Sequence, residues 1–400
     1  MNIAILTWDT PPRPSGLGRA AFEIASALRD RNARVTLIDA SRPVGEAAEI
    51  EGLRIVGCAP PDAGVWATLR RRLGVGHLVA PRFFRAALMR EHRAQAFDVV
   101  ESTNWYAPAA LLGRAAPPLV VRNSTPALDA WAAEASPRDR LDLRLAHRLE
   151  RRTARGAAAL VSNTRGHRDL IREVYGLSGD EDHAVIGLAL DPRTVERGAT
   201  AGPPPTEPFR SLFVGRMERR KGFDEALAAY GLLVEALERD GRPAPVLDIA
   251  GVETHELAPR LARLPPAIAR TVVAHGRVDD DVLHDLYAGA TVVLAPSRYE
   301  SYGLVYREAA AFGRPLIACA QDQAAREFVS ETGCGVLAER CEARPLADAL
   351  RALHDDPARR ERLATRGRAA AAFLSRERLA DETLAVYRRA ASGARRGARG

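Results

Sequence analysis

The stretch ATVVLAPSRYESYGLVYREAAAFGRPLIACA (290–320) decides how the chain is read. Its opening, ATVVLAPS, is an apolar, β-branched run of the kind buried in parallel sheets. YGLVYREAAAF (302–312) then reads as a helix, closed by Gly313 and Pro315 before a second apolar run, RPLIACA. Two carboxylates, Glu300 and Glu308, flank the glycine of this unit. On one unbroken helix, their spacing would separate them by ~12 Å and rotate them by ~80°, a poor geometry for an acid/base couple. The pattern instead puts Glu300 in the strand-to-helix loop and Glu308 about one turn inside the helix. Both then address one ligand lying across the helix N-terminus, where free N–H groups favour an anion such as a phosphate. A solvated loop glutamate and an ordinary helix-surface glutamate fit the same spacing, so the rest of the chain has to decide.

The alternation continues in both directions. NIAILTW, AAFEIASALRDR and RVTLIDA open the chain as strand, helix and strand; FDVVEST, a helix near APAALLG, PLVVRNS, ALVSNT, RGHRDLIREVYG and HAVIGLAL follow. After the proline cluster TAGPPPTEP (200–208) the pattern restarts with RSLFVGRM, FDEALAAYGLLVEALERDG, VLDIAG and TVVAHGRV. Repeated βα units imply mainly parallel sheets. The expected architecture is α/β with two domains, 1–191 and 209–373, joined by a hinge at 192–208. A last helix, within 374–391, is left unplaced by the pattern.

Composition narrows the class. The chain has 400 residues, 46% hydrophobic and 27% charged, which suits two soluble domains. No apolar run is long enough for a transmembrane helix, and MNIAILTW enters a strand without the features of a signal peptide. The four cysteines (58, 319, 334, 341) form no CxxC pair, which suits reduced thiols in a cytoplasm and argues against zinc. The net charge of +7 is concentrated in 66–93, with seven Arg against one Glu. Nucleic-acid binding, contact with anionic lipid and solvated helix faces all fit such charge. No nucleic-acid-binding signature accompanies it, so the expectation is no nucleic-acid partner and weak contact of 66–93 with an anionic membrane surface.

Two further segments carry chemistry. SGLGRAA (15–21) contains G-x-G-x-x-A, and Asp39 lies at the end of the following strand, as in a dinucleotide-binding unit. Against that reading, DTPPRPS intervenes between Trp8 and Gly16, whereas the dinucleotide fingerprint follows its strand at once. FVGRMERRKGFDEAL (213–227) ends a strand at Gly215 and starts a helix after Gly222, with Arg216 and Lys221 between them. A planar fork and a mobile point charge beside a helix start make a diphosphate clamp. This loop and the Glu300 loop both follow strands of one parallel sheet, and so share its carboxyl-end rim.

Together these segments resemble glycosyltransferase family 4, over almost the whole chain. The resemblance rests on the glycines at 16 and 18, GR…KG at 215–222, and LYAGATVVLAPSRYESYGLVYREAAAFGRPLIA at 286–318. It implies the GT-B fold: two Rossmann-like domains facing each other across a cleft, with the C-terminal helix crossing back to the first. It also implies a retaining, metal-independent transferase with no cofactor beyond its nucleotide-sugar donor. By resemblance Glu308 binds the ribose and Glu300 the donor sugar. Arg216 and Lys221 hold the diphosphate with the backbone of Gly303, Leu304 and Val305. Arg277 and Val278 read the base, and Gly16 and Gly18 close on the donor. Catalysis would fall to Glu300, Arg216 and Lys221.

The first half departs from that family's pattern. VRNSTP stands where relatives carry VRLHTP, placing Ser124 at a histidine position. DVVESTNWY has Glu101 where a histidine is usual, and IGLALD (186–191) lacks the family's Asn-Gly. An unusual acceptor is therefore expected, with Asn104, Trp105, Tyr106, Arg122 and Ser124 lining its pocket. Amide, hydroxyl and guanidinium groups suit a small polar acceptor presenting a hydroxyl or thiol, from a UDP- or GDP-sugar donor. The alternatives are a lipid-linked or polysaccharide-precursor transferase, a sugar-nucleotide epimerase, a non-catalytic sugar-nucleotide-binding protein, and an NAD-dependent dehydrogenase.

Overall fold

A computed structural model describes residues 1–12, 14–60, 76–113, 115–127 and 137–397. The chain divides into two compact units, Met1–Ala189 together with Arg376–Gly400, and Leu190–Ser375.

The first unit is built on β1 (Asn2–Thr7), β2 (Arg34–Pro43), β3 (Ala47–Ile50), β4 (Leu53–Ala59), β5 (Val99–Thr103), β6 (Leu119–Arg122), β7 (Ala159–Ser162) and β8 (His183–Val185). These form one sheet in the order β3-β4-β2-β1-β5-β6-β7-β8. Every neighbouring pair is parallel except β3–β4. Ile3, Ala4, Ile5 and Leu6 are all buried, as a strand covered on both faces requires. The β3–β4 hairpin was not legible in the sequence. Its exposed strand AAEI alternates weakly, and its turn uses Glu51 and Gly52, both at positive φ. The strand order reverses between β1 and β5, so the loops after them are neighbours: the Trp8 indole Nε1 donates to the Trp105 carbonyl at 3.0 Å.

The C-terminal helix, Arg376–Gly397, belongs to this unit. Arg376 forks onto Glu23, and Arg31 onto Asp381. Beneath them Leu379 and Tyr387 are fully buried. The expected helix near 107–113 is absent: Pro108 disfavours helical backbone at Ala107, and the segment closes as successive turns. Of the basic stretch 66–93, residues 66–75 lie outside the described residues. The rest falls in the helix Gly76–Ala94.

The second unit carries β9 (Arg210–Val214), β10 (Val246–Ala250), β11 (Val272–Gly276), β12 (Val292–Leu294), β13 (Leu316–Cys319) and β14 (Gly335–Ala338). The order is β11-β10-β9-β12-β13-β14, parallel throughout. Successive strand residues face opposite sides, so Phe213 packs with Phe223 and Tyr230 while Leu212 packs with Tyr287, Tyr306 and Phe312. The strand order reverses between β9 and β12. The loops 215–222 and 295–303 therefore leave the sheet side by side, at the crevice where open α/β sheets bind ligands.

The stretch 192–208 differs from the linker expected. Pro192–Thr200 is a helix, started by Pro192 and capped by the Asp191 carboxylate on Arg193 N at 2.7 Å. Gly198 lets that helix touch the backbone of Ala311, where a Cβ would meet the Ala311 carbonyl oxygen at 2.5 Å. Only 201–208 is irregular.

Candidate active site

Loop 215–222 ends in a single tight turn, Arg219–Lys221, stopped by Gly222 in the left-handed conformation. A side chain at Gly222 would collide with the Pro296 carbonyl and the Cys341 sulfur, so the two loops lie in direct contact there. That turn aims Lys221 at Glu300. The Lys221 Nζ lies 2.6 Å from Glu300 Oε1, Arg220 lies 3.3 Å from Oε2, and the Ser297 hydroxyl donates to Oε1 at 2.9 Å. Glu300 is only 12% exposed. Burial opposes its charge, but Lys221 and Arg220, with the hydrogen bonds from Lys221 and Ser297, outweigh it and hold the carboxyl below its ordinary range.

Glu308 is held separately. It sits within the helix Leu304–Ala311 and accepts from the Tyr287 hydroxyl at 2.6 Å. Burial, and then the Glu308 charge, push the Tyr287 phenol well above its usual value, so it remains a donor. The two glutamates are thus separately anchored. Gly303 caps the helix at φ 76°, and a Cβ there would strike the Tyr306 ring at 2.3 Å. Leu304 and Val305 are half-buried in the first turn, whose amides have no acceptor within the helix.

Not every expected donor residue joins this cluster. Arg216 is exposed and pairs with Glu218 at 2.9 Å. Arg277 is exposed beside Glu253 after β11, with half-buried Val278 next to it. Arg220 and Ser297 were missed: in the run ERRK nothing but the turn geometry says which cation faces inward. Gly16 and Gly18 lie in the first turn of the helix Gly16–Asp30, not in a loop, because Ser15 caps it by accepting from Gly18 N. Gly18 is required there, since a Cβ would fall 1.7 Å from Asp9 Oδ1; Gly16 faces open space. Asp39 is fully buried and committed to Thr10 and Ser41, which leaves it unable to hold a ribose as a dinucleotide site demands.

The acceptor-side residues separate into two groups. Arg122 is buried, with Nε 3.0 Å from Glu101 and a terminal nitrogen donating to Thr383. Asn104 is also fully buried. Both side chains are turned into the interior and bonded there, contrary to expectation. Trp105, Tyr106 and Ser124 are half-buried at the carboxyl ends of β5 and β6. The polarity of the hydrogen bonds around Ser124 is fixed. Asn104 Oδ1 accepts from Ser124 N at 2.6 Å, so its Nδ2 must face the Ser124 carbonyl and the Tyr175 hydroxyl. Tyr175 then donates to Glu150 at 2.9 Å, and the Ser124 hydroxyl donates to Asn104 Oδ1 at 2.9 Å. With its proton spent, Ser124 Oγ faces the Thr103 hydroxyl at 3.4 Å and keeps accepting capacity for a ligand. Glu150 anchors both loops by accepting from Tyr106 N and Ala127 N; burial raises its pKa to about 7 against those bonds.

Among the described residues, no group of three or more His, Cys, Asp or Glu side chains is placed to hold a metal ion, and no helix is long and apolar enough to cross a membrane. All four cysteines are free and buried.

Residues 199–370 match the family described as "Glycosyl transferases group 1", and residues 15–188 the "Glycosyl transferase 4-like domain". A D-inositol 3-phosphate glycosyltransferase of Xylanimonas cellulosilytica is 30% identical, over 97% of this chain and 97% of its own. A glycogen synthase of Mycobacterium tuberculosis is 28% identical, over 99% and 96%. Among solved structures, the sucrose-phosphate synthase of Thermosynechococcus elongatus has the same fold, with a TM-score of 0.76 at 19% identity, covering 97% of this chain and 98% of that one. Two Rossmann-like parallel-sheet units, with paired loops at a strand-order reversal, are those of the GT-B fold. The chain belongs to glycosyltransferase family 4: it is a transferase that uses a nucleotide sugar as donor.

Proposed function

We propose that this enzyme is a retaining glycosyltransferase that moves a sugar from a UDP- or GDP-sugar to a small polar acceptor, with side chains in place of a metal ion as the charge neutraliser. The observation that carries the donor half is the Glu300 cluster, a carboxylate held by two cations in the loop that leads into the helix Leu304–Ala311. In this reading the helix amides of Leu304 and Val305, with Lys221, Arg220 and Arg216, receive the diphosphate. Glu308, oriented by Tyr287, takes the ribose, Arg277 and Val278 flank the base, and Glu300 grips the sugar. As the bond from the anomeric carbon to the phosphate oxygen breaks, negative charge collects on the diphosphate, where fixed cations and amides are worth most. The acceptor attacks the same face, its proton passes to the departing phosphate, and configuration is retained.

For the acceptor half, Ser124 supports a polar partner. With its proton given to Asn104 and only accepting capacity left beside the Thr103 hydroxyl, Ser124 Oγ suits a ligand O–H, N–H or S–H better than an acyl chain. A relative aligned over its full length and named for D-inositol 3-phosphate fits a small polar acceptor; one named glycogen synthase fits a polymer. Assay with D-inositol 3-phosphate, simple sugars and low-molecular-weight thiols, against glycogen and lipid-linked sugars, separates them. Turnover is expected on the small soluble panel; turnover confined to glycogen or lipid-linked acceptors would sink the acceptor assignment. EDTA is expected to leave that turnover nearly unchanged, whereas complete loss restored by Mg²⁺ would overturn the cationic mechanism.

A further inference from the structure

Asp322 lies outside every motif used above, yet it is the buried carboxylate nearest the backbone of Glu300. It is fully buried one turn beyond β13, immediately before the helix Gln323–Thr332. Oδ1 accepts from Glu300 N at 3.0 Å and Ala324 N at 3.2 Å; Oδ2 accepts from the Tyr306 hydroxyl at 2.6 Å and Ala325 N at 3.3 Å. Capping the helix needs only the two alanine amides. The other two donors come from different segments, the Glu300 loop and the helix that carries Glu308.

The loop is braced at other points as well. Cys341 Sγ donates to the Pro296 carbonyl at 2.9 Å, and Arg298 N donates to the Arg220 carbonyl at 2.8 Å. Arg220 donates to the Tyr299 carbonyl at 3.0 Å, the other end of the peptide whose N–H Asp322 holds, so the two together fix that peptide plane. The side chain of Glu300 is set by Lys221, Arg220 and Ser297, so the position of its backbone decides whether those groups and a sugar meet the same carboxylate.

We propose that Asp322 is a positioning residue that fixes the Glu300 backbone and, through Tyr306, registers the Glu300 loop against the helix bearing Glu308. The inference rests on the donor-site reading above. Its chemistry yields an unusual ranking of variants. Asp322→Asn keeps an oxygen for Glu300 N and Ala324 N and turns its amide to the Tyr306 hydroxyl, which can accept; it gives up only the long 3.3 Å bond from Ala325 N. Asp322→Ser and Asp322→Thr keep a capping oxygen for the helix but are too short and too few in acceptors to hold Glu300 and Tyr306 as well.

The test is the rate at which UDP-glucose, UDP-N-acetylglucosamine or GDP-mannose releases its nucleoside diphosphate to water, with UDP and GDP affinities measured alongside. Asp322→Ser or Asp322→Thr is expected to lower the release rate about 10²-fold, the scale of an ångström-level misplacement. Affinity for the free diphosphate should stay near wild type, and Asp322→Asn should recover most of the rate. A folded serine or threonine variant that keeps wild-type rate, or one that loses UDP or GDP affinity in proportion to rate, overturns the proposal. Failure of both to fold, judged by circular dichroism and melting, does so too, since the residue would then be a structural one. Wild-type protein binding neither UDP nor GDP would instead remove the donor-site reading, and this inference with it.

Discussion

Lys221→Met is expected to lower glycosyl transfer by about 10²- to 10³-fold, the cost of removing one preorganised group that stabilises developing charge. Two effects combine. The diphosphate loses a cation at the point where charge builds up. Glu300 loses the partner 2.6 Å away that does most to keep it ionised while buried. The pH dependence gives the sign. In the wild type the carboxyl titrates below its ordinary range, so activity that needs the ionised form persists as pH falls toward that range and is lost only below it. Without Lys221, burial regains ground, the Glu300 pKa rises, and the acid limb of the pH–rate profile moves to higher pH. Lys221→Arg retains charge but not the compact point charge, and should recover only part of the rate. A Met variant with wild-type turnover and an unmoved acid limb would contradict the assignment of Lys221.

The second large effect is on stability. Arg122→Met is expected to cost about 3–5 kcal/mol, because breaking a buried ion pair leaves its partner charged and alone. Glu101 is 3% exposed, and beside Arg122 its other close partner is the Tyr387 hydroxyl, donating at 2.7 Å. Tyr387 and Thr383 lie on the C-terminal helix, so this network ties that helix to the end of β5 and β6. Adding Glu101→Gln to Arg122→Met should restore much of the loss, since no buried charge is then left uncompensated. Urea denaturation of the single and double variants measures both numbers. A single variant within about 1 kcal/mol of wild type would show that the pair is a surface-like one.

These two residues also show what could be read before the structure. Parallel strands buried on both faces write themselves as continuous apolar runs, so the strands around ILT, VVLA and PLIA were legible. The placement of Glu300, Glu308 and Lys221 followed, because loops after parallel strands share one rim. Arg122 was not legible in the same way. A strand-end arginine suggests a pocket, and only its pairing with Glu101 and a helix from the far end of the chain turns it inward. Asp322 has the pattern of an ordinary helix cap, and nothing local announces its second pair of donors. Glu150 sits in an arginine-rich helix whose exposed face dominates the pattern, while its own carboxylate is buried beneath two loops. Arg220 depended on a single tight turn. In each case the missing information was tertiary: which side chain a fold turns inward, and toward what.

The central claim is that the Glu300 loop and the helix bearing Glu308, with the neighbouring cations, form a nucleotide-sugar site. Isothermal titration of UDP, GDP and NAD into the wild-type protein and into Glu308→Ala tests it most directly. Binding of UDP or GDP by the wild type, with marked weakening in the variant and no binding of NAD, is the predicted result. NAD binding without UDP or GDP, or diphosphate affinity untouched by Glu308→Ala, would contradict it.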